Sequence, residues 1–132
     1  MAPEPTDLDP SEGVDAPPPV PEWIADLRRR TPKGWYGLDA PKGWYPLIER
    51  LHAAIVERFP DYEVHQIKEK FGTLRYYCSV DGNDEVFALI TAAEAESART
   101  CQKCGAEATT NNTGGWYATL CVSCAARARY RT

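Results

Sequence analysis

The sequence predicts an α+β protein, with helices packed on a small antiparallel β-hairpin or sheet and a C-terminal module built around four cysteines. Three observations carry this. Ile48, Leu51, Ile55 and Phe59 fall three or four residues apart, a single apolar stripe on one helix. Leu74, Tyr76, Cys78 and Val80 alternate with Arg75, Tyr77 and Ser79, the period of a strand with one packed face. Cys101, Cys104, Cys121 and Cys124 form the pattern C-x2-C-x16-C-x2-C. Two residues between cysteines let both thiolates of a pair reach one ion, and two such pairs close a tetrahedron around one structural zinc.

The elements follow in order. Residues 1–21 hold seven of the eleven prolines and almost no large apolar side chain, so they read as a disordered acidic tail. Its PPPVP at 17–21 favours polyproline II, suited either to an aromatic groove or to plain solvation. A first helix is expected from about Pro21 to Arg30, with Trp23, Ile24 and Leu27 on one face and the Arg28–Arg30 run complementing its C-terminal dipole. PKGWY then occurs twice, at 32–36 and 41–45. Either copy can be an aromatic turn capping the core, or Trp35 and Trp44 can serve as anchors for a partner.

Pro46 suits the first turn of the striped helix, and Pro60-Asp61 ends it. YEVHQIK and TLRYYCSV flank KEKFG as a hairpin, with Gly72 supplying positive φ at the turn. Asn83 or Asp84 caps a further helix to about Ala98, with Val86, Leu89, Ile90 and Ala93 inward. ATTNNTGGWYATL between the cysteine pairs reads as a second hairpin, and AARARYRT as a short terminal helix. The domain reading is therefore a tail at 1–21, an α+β domain at 22–100, and a zinc-ribbon module with a basic end at 101–132.

The formal charge of −4 hides an asymmetry. Residues 1–27 carry seven acidic side chains and no Lys or Arg, whereas the remainder carries 15 basic against 12 acidic, a net +3. That is too little to argue for nucleic acid without a concentrated patch. No stretch approaches the roughly 18 apolar residues of a spanning helix, and the N-terminus lacks the basic and apolar regions of a secretory signal. A cytoplasmic protein is expected, which favours zinc over the two disulfides that the four cysteines would otherwise allow.

Four thiolates fill a zinc shell and leave no position for water or substrate, so the zinc is expected to be structural. Cys78 reads as a small core residue, and His52 and His65 as packing or surface residues. No catalytic motif is present, and a non-enzyme is expected. At the KEKFG turn, Lys68, Lys70 and Arg75 surround Phe71. Phe71 either plugs the core or stands exposed on a basic hairpin, where it would anchor an acidic protein or stack on a base. Lys103, Arg127, Arg129 and Arg131 offer a second basic set for phosphate.

GWYPLIERL (43–51), QIKEKFGTLRYY (66–77), AEAESARTCQKCG (93–105) and GGWYATLCVSCA (114–125) together resemble a family of small four-cysteine proteins common in bacteriophage and actinobacterial genomes. The resemblance spans about 42–125 and carries no activity with it. It implies a zinc-containing, phage-associated accessory protein. The expected function is host modulation by protein–protein contact through Lys68, Lys70, Phe71, Arg75, Trp35 and Trp44. The alternative is a nucleic-acid-binding regulator using the zinc ribbon and the basic end.

Overall fold

A computed structural model of the chain describes residues 20–32, 38–80 and 82–131, the side chains of 129–131 excepted. The expected tail, up to residue 19, and the first PKGWY copy, from 33 on, lie outside the described residues. The described residues form an α+β fold, with four helices and two antiparallel two-stranded hairpins.

Helix α1 (Glu22–Arg29) buries Ile24 and Leu27 and ends in basic residues, as the dipole favours. A single 3₁₀ turn (Lys42–Trp44) leads into α2 (Tyr45–Arg58), with Pro46 in its first turn. Leu47, Ile48, Leu51 and Ile55 are buried along α2, and Phe59 packs at the core edge just past its end. Each such side chain removed from water contributes roughly 1.5–3 kcal/mol. The stripe therefore holds α2 in place, where helix propensity alone would not.

Strands β1 (Glu63–Lys70) and β2 (Thr73–Ser79) pair antiparallel, with a bulge at His65 between the Val64↔Cys78 and Gln66↔Tyr77 pairs. Val64, Ile67, Leu74 and Tyr76 face the core, whereas Lys68↔Arg75 and Lys70↔Thr73 form pairs on the opposite face. β1 runs further into KEKFG than the sequence suggests, leaving only Phe71 and Gly72 as the loop. Helix α3 (Asp84–Ser97) is capped by Asn83, whose side chain accepts from the Val86 amide at 2.8 Å. It covers β2 by side chains. The Leu74 amide donates to Ser97 Oγ at 2.8 Å and the Tyr76 amide to Glu94 Oε2 at 3.3 Å. These two outer amides of β2 are thus paired without a third strand.

Strands β3 (Thr109–Thr113) and β4 (Trp116–Leu120) form the second hairpin, and α4 (Val122–Arg131) leaves it. Among the described residues, the buried apolar cluster of this module is Cys101, Ala108 and Cys124, with Leu120 and Cys121 against them. So small an apolar cluster cannot hold a hairpin by burial alone. Among the described residues, no helix is long and apolar enough to cross a membrane.

Candidate metal centre and the face it holds

The first knuckle is made by its own backbone. The Cys101 amide donates to the Ala106 carbonyl at 2.7 Å, and the Gly105 amide to the Cys101 carbonyl at 3.0 Å. Gly105 takes φ 83, the left-handed turn that brings the chain back under the sulfurs. The Lys103 amide points at Cys101 Sγ (3.4 Å) and the Cys124 amide at Cys121 Sγ (3.4 Å). Cys121 immediately precedes α4, and Cys124 sits in its first turn.

The four Sγ atoms lie within 4.8 Å of one another, and Cys104 and Cys121 are 3.6 Å apart. A tetrahedral shell with metal–sulfur bonds of about 2.3 Å needs sulfurs about 3.8 Å apart. The cluster fits a single metal ion. Its electrostatics agree. Burial raises the Cys101 thiol, but amides and neighbouring thiols more than offset this and bring it to about 6. Burial, reinforced by the neighbouring cysteines, pushes Cys124 up to about 12. Four thiolates repel one another at this separation, and a divalent cation relieves that repulsion.

Two sets of contacts fasten this centre to the rest of the chain. On one side the Gly43 amide donates to the Gln102 carbonyl at 2.9 Å, and Trp44 Nε1 donates to the Thr100 carbonyl at 2.8 Å. Trp44 is 0 % exposed, so its expected role as a partner anchor is corrected: the ring is core, and its N–H holds the knuckle. On the other side Gln102 pairs with Thr119, through N–H to the Thr119 carbonyl (2.8 Å) and through Oε1 from the Thr119 amide (2.6 Å). The buried Thr119 hydroxyl then donates to the Gly72 carbonyl at 2.6 Å. The tip of the first hairpin therefore lies on the second.

Phe71 and Gly72 both have positive φ, 56 and 84, which in a two-residue loop is a type I′ turn. Asn or Gly is the usual residue at the first corner; a bulky side chain there is strained. Phe71 does not plug the core. It is 59 % exposed, with its ring 5.4 Å from that of Tyr117 in an edge-to-face contact. Lys70 Nζ lies 5.6 Å from the Phe71 centroid. Lys68 is directly across from Arg75, and among the described residues none of Lys68, Lys70 and Arg75 makes an ion pair. Lys68, Lys70 and Arg75 share one face of the first hairpin, and the Phe71 ring links Lys70 to Tyr117. Tyr117 was not singled out from the sequence, although an aromatic pair in an otherwise small and polar hairpin was the available signal.

Arg127 turns back to Cys124 Sγ, 3.1 Å away, and Lys103 is exposed on the first knuckle. The side chains of Arg129 and Arg131 lie outside those described, and Trp35 lies in the segment outside the described residues. His52 is buried, with Nδ1 2.6 Å from the Tyr62 hydroxyl and Nε2 2.8 Å from Asp26 Oδ2. Both ring nitrogens are engaged, so His52 ties α1 to α2 and to the strand side of the core. Comparison with family models, curated proteins and solved structures returns no match to this chain.

Proposed function

We propose that the protein is a non-enzymatic binding protein in which one zinc ion staples the second hairpin to the core. The stapled assembly presents the Lys68–Lys70–Phe71–Arg75–Tyr117 face to an anionic partner. Zinc is proposed because four clustered cysteine sulfurs suit its tetrahedral preference, and a filled shell would keep no position for a reacting water. The single observation that carries the functional reading is Phe71. A large aromatic ring stands in a backbone conformation that disfavours it, without being buried for its own stability. Strain of that kind, retained at an exposed position, is the mark of a residue kept for contact.

The resemblance to small phage and actinobacterial proteins adds a setting by analogy: an accessory factor that modulates a host component, with an acidic host protein as the expected partner. Affinity capture from a host extract tests this. The wild-type chain should retain a partner that a Lys68→Ala/Lys70→Ala/Phe71→Asn variant of unchanged metal content loses. Equal capture by both proteins would sink the reading.

A further inference from the structure

We infer that the anionic partner of the hairpin face is single-stranded nucleic acid. The inference rests on that face being the working surface, and it chooses nucleic acid where the family analogy points to a protein.

Charge is the first argument. Three cations stand on one side of β1–β2 with no ion pair among the described residues. The hairpin beside them is neutral, since no charged side chain occurs between Glu107 and Arg127. A phosphate chain crossing from one hairpin to the other therefore passes three cations and then an uncharged strand pair, with Asp39, in a β-bridge with Lys68, and Glu69, bonded to the Gly72 amide, as acidic neighbours of the cations. The overall charge of −4 does not oppose this, because seven acidic residues are concentrated in 1–27.

Side-chain type is the second argument. Between Gln66 and Tyr77 the strand residues facing away from the core are Gln66, Lys68, Lys70, Thr73, Arg75 and Tyr77, none of them aliphatic, with the acidic Glu63 further along β1. The core of a protein–protein interface is normally depleted in charge, whereas three of these six residues are cationic. β3 consists only of Thr and Asn and is exposed throughout, supplying neutral donors and acceptors. Phe71 and Tyr117 meet edge to face with Lys70 Nζ over the Phe71 ring, and at 59 % and 40 % exposure they leave ring surface on which a base can stack. Bases already stacked within a duplex cannot use such rings, which is why the single strand is preferred.

Fluorescence anisotropy with the zinc-loaded, reduced full chain tests this. The probes are labelled mixed-sequence DNA and RNA strands of about 20 nucleotides and the matching duplex. Both single strands should bind, and the duplex about tenfold or more weakly. Three phosphate contacts should weaken single-strand affinity about twenty-fold between about 50 and about 200 mM salt. Phe71→Asn suits the type I′ corner and removes only the ring. It should lower affinity about tenfold, with zinc content and circular dichroism unchanged, whereas Phe71→Trp should retain binding. No binding at low salt, equal affinity for duplex and single strand, or an unchanged affinity in Phe71→Asn would each overturn the inference. If oligonucleotides fail but a protein is captured through Lys68 and Phe71, this inference falls and the reading of the face stands. If neither ligand depends on those residues, both fall.

Discussion

Gly43 has no room for a side chain: a Cβ there would sit 2.1 Å from the Cys101 carbonyl oxygen and 2.6 Å from the Gln102 carbonyl carbon. Both neighbours are backbone of the metal knuckle and cannot swing aside. Gly43→Ala is therefore expected to destabilise the protein by about 2–3 kcal/mol, the upper range for overpacking, read as a lower urea midpoint at unchanged slope. A loss below about 0.5 kcal/mol would mean that the knuckle is not docked here. Phe71 presents the opposite case. Phe71→Asn relieves the positive-φ strain but gives up the contact with Tyr117, worth about 0.5–1.5 kcal/mol. Stability should stay within about 1 kcal/mol of wild type, leaving binding as the property that changes. The repeated KGW was visible in the sequence, and so was the alternative that its tryptophans are core. What no local pattern supplies is the partner of Gly43, a backbone segment almost sixty residues away.

At the scale of elements, periodicity and capping were legible because they are local. The α2 stripe, the β2 alternation, the Asn83 cap and the second hairpin all appear where spacing puts them. The joins between elements were not legible, since a hydroxyl such as that of Thr119 has no period and takes its meaning from the carbonyl it meets. The tie between α1 and α2 is of this kind. Asp26, as a carboxylate, only accepts, so His52 Nε2 carries the proton and Nδ1 accepts from Tyr62, whose oxygen in turn accepts from Tyr76 (2.6 Å). Burial, helped by the charge of Arg30, outweighs the pull of Asp26 and holds the His52 pKa below its usual 6.5. The unfolded chain then takes up a proton as pH falls through about 6.5 while the folded chain does not, so stability falls in that direction. Asp26 adds to this at lower pH. Its burial is offset by hydrogen bonds from Arg30 and His52, which hold its carboxyl below 3.8, a contribution lost on further acidification. Urea midpoints should drop between about pH 7.5 and about pH 5.5, and His52→Gln should flatten that part of the profile while lowering the midpoint throughout. An unchanged slope in His52→Gln would place the titration elsewhere.

For the whole molecule, the metal is expected to set more than the stability of its own module. The cysteine spacing alone announced the centre, because C-x2-C pairs are local and their chemistry is narrow. That the centre also positions Phe71 follows only from the chain of contacts running from Cys101 through Gln102 and Thr119 to Gly72. Few apolar residues support this region, so binding free energy of a metal at the four cysteines is expected to supply what burial does not. Chelation should then release the knuckle from Trp44 and the second hairpin from the first together. Trp44 is the reporter: it is fully buried and bonded to Thr100, whereas Trp116 is 76 % exposed and already in water. In a Trp23→Phe/Trp35→Phe/Trp116→Phe background, where Trp44 alone emits, removal of zinc under reducing conditions should move the emission to longer wavelength, and one equivalent of zinc should restore it. Ligand binding by the hairpin face should be lost and regained in step. Thr119→Val separates the two effects, since it removes the hydroxyl bond to Gly72 while sparing all four thiolates. It should leave zinc content and Trp44 emission unchanged but weaken binding severalfold. Emission that ignores chelation would refute the coupling of centre to core, and full binding in Thr119→Val would refute its extension to the face.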